Sequence, residues 1–299
     1  MLACYTHVPR DAPAPRTKSL APDYVRVKWS LWLGAKNMTV DSDLIAFANR
    51  LADTSGAVIR PLFRQRIDVA HKQGVHDFDP VTEADKGAER AIREVLARER
   101  PGDGVLGEEY PETKGSSGYR WVLDPVDGTR AFITGRHEWG SLIALEQGGK
   151  PVLGILDQPV LGERFVGVNG AAHLIQAGKA SKLDVRACAS VSEAVLCATD
   201  PGAYFSKEQL SAFARVERLT KMTRYGGDCY LFAALALGFV DVVIEANFNP
   251  WDVAALIPLV EGAGGIITSW DGGSAQSGKS ILASGDRRVH AEAMKLLAG

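Results

Sequence analysis

The sequence predicts an α/β protein in which layered sheets are covered by helices. Two observations support this class. Short apolar runs separated by turn signals fill the middle of the chain, and its last third alternates strand-length runs with helical periods. Because every sheet and helix has an apolar side to bury, such elements stack in layers.

The first helical signals lie before residue 103. Apolar residues recur at helical spacing from Asp41 to about Phe63, which predicts an amphipathic helix. A second helix opens at Thr82, where the segment Thr82-Glu83-Ala84-Asp85 resembles a capping box, and Pro101-Gly102 ends it.

Strand signals follow and then alternate with helices. Apolar runs of strand length lie at residues 105–106, 121–123, 141–145, 152–156, 163–168 and 171–175, and Gly148-Gly149 is typical of a hairpin turn. Beyond them we predict strands at 195–198, 221–224, 240–245, 265–269 and 281–283, with helices at 207–217, 230–237, 253–263 and 289–297.

Domain organisation follows from the same pass along the chain. Residues 1–37 are rich in proline and lack sustained periodicity, so we expect a weakly ordered N-terminal extension. No internal repeat or low-complexity linker divides the remainder. We therefore expect a single domain over residues 38–299, with two halves at about 38–185 and 186–299.

Composition excludes several classes of function. Lys and Arg number 34 against 36 Asp and Glu, so no basic surplus favours a nucleic-acid or anionic-membrane partner. No apolar run approaches the roughly 18–20 residues of a membrane span. The four cysteines form no C-x-x-C pair, which argues against a disulfide framework or structural zinc and favours the cytoplasm.

Acidic residues recur where predicted strands end or helices begin. In Asp124-Pro125-Val126-Asp127-Gly128-Thr129 the proline bend can aim both carboxylates at one point. Two carboxylates that close repel unless a cation lies between them or one is protonated, and oxygen ligands favour Mg²⁺. Asp85, Glu108-Glu109 and Asp252 stand at comparable places.

Simpler roles exist for each of these acids. Asp85 could cap its helix, and Asp252 could be an N-terminal helix acid favoured by the helix dipole. Glu108-Glu109 could be a solvated pair, and the Asp-Pro-x-Asp-Gly segment a surface turn. Their joint occurrence favours the functional interpretation.

Taken together, the motifs resemble those of the inositol monophosphatase family of Mg²⁺-dependent, lithium-sensitive phosphatases. The resemblance runs from about Asp41 to the C-terminus. Its motifs are Asp79-Pro80-Val81-Thr82-Glu83-Ala84-Asp85, Gly107-Glu108-Glu109-Tyr110, Asp124-Pro125-Val126-Asp127-Gly128-Thr129, and Trp251-Asp252-Val253-Ala254-Ala255 with Glu261-Gly262-Ala263-Gly264-Gly265. It implies alternating layers of helices and sheets, hydrolysis of a small phosphorylated metabolite, and a homodimer.

The resemblance also implies a metal site and a water-activating pair. Two or three Mg²⁺ would be held by Glu108, Asp124, the Val126 carbonyl, Asp127 and Asp252. Asp85 and Thr129 would hold and polarise the attacking water, with Glu109 in support. In this scheme the first half of the domain carries most metal motifs and the second completes the site.

Within the family, the sequence is similar to the histidinol-phosphate phosphatase branch. Phe132-Ile133-Thr134-Gly135-Arg136 and Gly154-Ile155-Leu156-Asp157-Gln158-Pro159-Val160 carry this likeness. It implies histidinol phosphate as substrate, in histidine biosynthesis, with inositol 1-phosphate or another sugar phosphate as the alternative and a non-catalytic metal-binding partner protein as a third. The implied substrate contacts are Gly128, Thr129, Arg136, Gly226, Gly227, Asp228 and Glu245, where Arg136 could equally form a surface ion pair and Asp228 a structural turn.

Overall fold

Two β-sheets and the helices that cover them form the part of the chain described by the computed structural model. That part comprises residues 40–71, 80–277 and 279–299. The extension predicted over residues 1–37 lies outside it.

The elements are as follows in chain order. The helices are α1 (Ser42–Ile59), α2 (Glu83–Glu99), α3 (Thr129–Ile133), α4 (Pro201–Tyr204), α5 (Lys207–Glu217), α6 (Tyr230–Ala236), α7 (Pro250–Val253), α8 (Leu256–Gly262) and α9 (Arg287–Ala298). The strands are β1 (Ala70–His71), β2 (Pro80–Val81), β3 (Gly104–Gly107), β4 (Tyr119–Asp127), β5 (Gly140–Gln147), β6 (Lys150–Gln158), β7 (Glu163–Val168), β8 (Ala171–Gln176), β9 (Lys179–Lys182), β10 (Val195–Ala198), β11 (Met222–Tyr225), β12 (Val242–Phe248), β13 (Ile266–Ser269) and β14 (Lys279–Ser284).

The larger sheet has the strand order β3-β4-β5-β6-β7-β8-β9. Only its first pair, β3 with β4, is parallel, and the other pairs are antiparallel. The smaller sheet has the order β11-β10-β12-β14-β13, in which β10 is parallel to both neighbours and β14 is antiparallel to both of its own. A separate pair joins β1 to β2.

Both faces of the larger sheet are buried. Trp121 and Leu123 of β4 share a core with α1 and α2, whereas the intervening Val122 shares a core with α6 and α8. This alternation follows from the two-residue period of a strand. The sheet therefore lies between two helical layers.

The smaller sheet continues the stack. Val243 of β12 joins the core around α6 and α8, while the neighbouring Val242 and Ile244 join a core with α5 and α9. The order is thus helices, sheet, helices, sheet, helices, and the predicted alternating layers are confirmed.

One predicted helix is divided in two. The apolar period over residues 253–263 gave no sign of an interruption, yet α7 ends at Val253 and α8 begins at Leu256. Pro258 supplies the reason, because it lacks the N–H that would bond the Ala254 carbonyl and its ring clashes with that carbonyl. Ala254 and Ala255 keep helical backbone angles across the break, and α7 carries Asp252.

Glycines in the larger sheet allow α8 to approach closely. A Cβ placed at Gly154 would lie 1.9 Å from the Ala255 carbonyl oxygen, and one at Gly167 would lie 2.2 Å from the Pro258 carbonyl oxygen. Since no side chain fits there, backbone packs on backbone. In the described residues, no helix is both long and apolar enough to cross a membrane.

Candidate active site

The acidic motif at the end of β4 lies in a cleft that Thr199, Asp228 and residues 245–249 at the end of β12 also line. Pairing of β4 with β5 shifts register between Asp124 and Asp127, as a β-bulge does. The Ser141 hydroxyl donates to the Pro125 carbonyl at 2.7 Å, and the Val126 N–H donates to Asp124 Oδ1 at 3.1 Å. The bend that proline predicts is thus held by two local hydrogen bonds.

Three carboxylates converge in this cleft. Oxygens of Asp124, Asp127 and Asp252 lie within 4.8 Å of one another. Asp127 Oδ2 accepts from the Cys229 N–H at 2.7 Å, and Asp252 Oδ2 accepts from the Asn249 N–H at 2.6 Å. With the Val126 N–H bonded to Asp124, backbone donors therefore orient all three groups.

The electrostatics of the cluster favour a bound cation. Burial, and then the charge of Glu108, raise the pKa of Asp124 well above its usual range. Burial raises the pKa of Asp127 to about 6, and burial with the Asp127 charge raises that of Asp252 strongly. Glu108 lines the same cleft. A set of hard oxygen donors whose negative charges oppose one another suits Mg²⁺.

Asp85 stands behind this cluster and makes contacts of two kinds. Its Oδ2 accepts from the Thr82 N–H at 2.8 Å and the Thr82 hydroxyl at 2.6 Å, which completes the predicted capping box of α2. Its Oδ1 lies 3.1 Å from Thr129 Oγ1, which is also 3.0 Å from the Val126 carbonyl oxygen. Burial raises the pKa of Asp85. The capping interpretation is confirmed, and the contact with Thr129 is compatible with the site role, which stays a prediction.

Glu109 is placed differently from Glu108. It is not among the cleft-lining residues that the structure describes, and its N–H donates to Glu89 Oε2 at 2.8 Å. Glu89 is fully buried, pairs with Arg93 at 2.7 Å and sits where a Cβ on Gly107 would clash with it. Sequence reasoning missed Glu89, although its position four residues after Asp85 puts both acids on one face of α2.

The far side of the cleft carries two more acids. Glu245 of β12 is 2% exposed and accepts from the N–H and the hydroxyl of Thr199, both at 2.7 Å. Burial raises its pKa to about 8. Burial and then the charge of Asp127 raise the pKa of Asp228 to about 8 as well. Both residues line the cleft, as do Gly128 and Thr129.

Three predicted substrate contacts lie outside the described cleft lining. Gly226 and Gly227 have φ of +81° and +129°, which glycine adopts readily and which shape the turn before Asp228. Arg136 donates to Glu138 at 2.6 Å and its guanidinium covers Gly226. The ion-pair interpretation of Arg136 is the one that the structure shows.

The structure adds cleft residues that no motif identified. Arg130 and Tyr204 line the cleft, with the Arg130 guanidinium carbon 4.8 Å from the centre of the Tyr204 ring. The Tyr204 carbonyl accepts from Asn247, another lining residue. These side chains come from α3, α4 and β12, so only the tertiary fold brings them together.

Known proteins resemble this chain along most of its length. The model of the inositol monophosphatase family matches residues 41–298. The bifunctional phosphatase IMPL2, chloroplastic, of Arabidopsis thaliana is 41% identical over 86% of this chain and 76% of the relative. The histidinol-phosphatase of Mycobacterium tuberculosis is 35% identical over 83% and 94%. The solved structure of an inositol monophosphatase from Zymomonas mobilis aligns with a TM-score of 0.76 at 40% identity, covering 86% of this chain and 98% of that one.

Proposed function

Because the chain belongs to the inositol monophosphatase family and is a phosphatase of that family, we propose that it hydrolyses histidinol phosphate to histidinol and phosphate with Mg²⁺. Two curated relatives of similar length carry the name histidinol-phosphatase at 35% and 36% identity. The bifunctional relative and an inositol-1-monophosphatase at 33% identity support inositol 1-phosphate as the second candidate.

The convergence of Asp124, Asp127 and Asp252 carries the proposal. With Glu108 and the Val126 carbonyl, these residues would hold two or three Mg²⁺. Such ions neutralise phosphate charge, stabilise a leaving oxygen and make water acidic enough to attack near neutral pH. Phosphate monoester hydrolysis is among the slowest uncatalysed reactions, so it needs this electrostatic help.

Thr129 and Asp85 supply the proton-accepting side of the proposed reaction. Thr129 Oγ1 can accept a hydrogen bond from the attacking water while it donates to Asp85 Oδ1, 3.1 Å away. The raised pKa of Asp85 brings its carboxylate closer to the range in which it can take a proton and return it. The amides of Gly128 and Thr129 are the proposed donors to the phosphate, and Glu109 would support the cluster from nearby.

The acidic side chains of the outer cleft favour a substrate whose alcohol part carries an amine. Asp228 and Glu245 face this region, and a cationic amine or imidazole would lower the pKa of both and compensate their burial. The same carboxylates could accept hydrogen bonds from inositol hydroxyls, which keeps the second candidate open. The turn formed by Gly226 and Gly227 sets the position of Asp228.

A substrate panel tests the proposal. Phosphate release is measured from histidinol phosphate, inositol 1-phosphate, fructose 1,6-bisphosphate and 3′-phosphoadenosine 5′-phosphate, with and without Mg²⁺ and Li⁺. We expect Mg²⁺-dependent, Li⁺-inhibited turnover with the highest kcat/KM for histidinol phosphate. A higher value for inositol 1-phosphate transfers the assignment to the second candidate, and binding without turnover on any substrate would favour the metal-binding partner protein.

Three further expectations come from the sequence and the resemblance. They are a homodimer, a cytoplasmic location, and a single domain whose second half completes the metal site through Asp252. Each stays a prediction.

A further inference from the structure

The cleft has one cationic side chain among its lining residues in the described part of the chain. Six carboxylates line it, at Glu108, Asp124, Asp127, Asp228, Glu245 and Asp252, and Arg130 stands opposite them. A phosphate monoester enters such a cleft as a dianion, so every positive charge there affects its binding. Mg²⁺ would supply most of that charge, and Arg130 is the protein's own contribution.

The Arg130 side chain is placed by the fold. Arg130 directly follows Thr129 in α3, and its guanidinium lies 4.8 Å from the centre of the Tyr204 ring. The Tyr204 carbonyl in turn accepts from Asn247 near the end of β12. Stacking on an aromatic ring uses the face of a guanidinium, so Tyr204 restricts the plane in which Arg130 donates hydrogen bonds.

We propose that Arg130, positioned by Tyr204, donates hydrogen bonds to the phosphate group of the substrate and of the released product. The inference rests on the proposed function for the identity of the substrate. The planar fork of a guanidinium matches two phosphate oxygens, which an ammonium group cannot do as well. Arg136 takes no part, because it pairs with Glu138 outside the cleft lining.

A rival role is charge compensation alone. The charges of Arg136 and, to a smaller extent, Arg130 oppose the effect of burial on the pKa of Asp228. If compensation were the whole role of Arg130, removing the Asp228 charge would remove the need for Arg130. The double variant Arg130→Gln with Asp228→Asn separates the two roles.

Binding of inorganic phosphate to the Mg²⁺-loaded protein, followed by titration calorimetry, is the primary measurement. We expect Arg130→Gln to raise the phosphate Kd roughly 10- to 100-fold, the range for a lost charge-assisted hydrogen bond. Arg130→Lys should recover part of the affinity, and Tyr204→Leu should weaken binding less than Arg130→Gln does. Arg98→Gln, which removes an exposed arginine paired with Glu99, is the matched control and should leave Kd unchanged.

Steady-state kinetics provide the second readout. KM for the preferred substrate should rise with the phosphate Kd in the single Arg130 variants, and the double variant should bind phosphate more weakly than Asp228→Asn alone. A phosphate Kd within twofold of wild type in Arg130→Gln, a double variant that binds phosphate as tightly as Asp228→Asn, or an equal loss in Arg136→Gln overturns the proposal. Wild-type protein that binds phosphate through Arg130 but hydrolyses no monoester refutes the proposed function and leaves this binding role standing.

Discussion

The contact between Gly154 and the start of α8 links the fold to the active site, and Gly154→Ala tests that link. The new Cβ would lie 1.9 Å from the Ala255 carbonyl oxygen, against about 3.4 Å for an ordinary contact. Because the obstacle is backbone, the α7–α8 segment must move by about 1.5 Å or β6 must yield. Asp252 lies three residues before Ala255 and would move with it.

The size of the effect follows from that displacement. Overpacking of a core typically costs about 1–3 kcal/mol, and a backbone clash belongs at the upper end. At about 2–4 °C per kcal/mol, Tm should fall by roughly 6–12 °C. Misplacing a catalytic group by about 1 Å costs on the order of 100-fold in rate, so kcat should fall by about that factor and the Mg²⁺ requirement should rise.

Thermal unfolding and phosphate release at 25 °C measure the two effects separately. Gly102→Ala is the matched control, since a Cβ there would meet nothing nearer than 3.8 Å, and its Tm should stay the same or rise slightly. A Gly154→Ala protein with wild-type Tm and kcat would refute the packing argument. A lowered Tm with unchanged kcat would refute only the connection to Asp252.

Three other perturbations test the site and the fold. Asp124→Asn should cut turnover by at least about 100-fold, because it removes a proposed metal ligand. The same change should raise Tm measured without Mg²⁺, because it removes one of several buried charges that repel one another. More than a tenth of wild-type kcat would contradict the metal role. Glu245→Gln should change the ratio of kcat/KM between histidinol phosphate and inositol 1-phosphate, and an unchanged ratio would contradict its proposed contact. Burial lowers the pKa of His290 to about 4, below its unfolded value of about 6.5. The unfolded state therefore binds the extra proton first, and the stability of the protein should decline as pH falls from 6.5 towards 4. His290→Gln should flatten that decline in Tm, and parallel pH profiles of the variant and the wild type would refute the assignment.

Elements with a buried apolar face were predictable from the sequence, and several short or polar ones were not. The strands and helices of the three cores show clear periods, whereas β9, with the sequence Lys-Ala-Ser-Lys, is exposed over most of its length and shows none. The helices α3 and α4 span five and four residues, too few for a period. The break before α8 was foreseeable in principle, since Pro258 stands four residues after Ala254.

The residues of the candidate site likewise differ in whether the sequence predicts them. Asp124 and Asp127 were identifiable because one local segment supplies both the bend and the carboxylates. Arg130 and Tyr204 were not identifiable, because neither belongs to a motif. Their contact joins α3 to α4, which only the tertiary fold brings together. Local chemistry is visible in sequence, and partners that meet only through tertiary packing are not.

The structural contacts of the site acids are compatible with their proposed functional roles. Asp85 Oδ2 caps α2 through Thr82, which leaves Oδ1 to meet Thr129. Asp252 makes the same kind of contact, because its Oδ2 accepts from the Asn249 N–H at the start of α7.

Asp127 completes the pattern through its Oδ2, which accepts from the Cys229 N–H just before α6. In each case one carboxylate oxygen bonds an otherwise unpaired amide at a helix start, and the other is left for the cleft. A cap of this kind restricts side-chain rotation, so the cluster is oriented before any cation binds. Replacing such an acid therefore removes a ligand and loosens the helix that carries or faces it, which makes isosteric Asp→Asn changes more informative here than Asp→Ala.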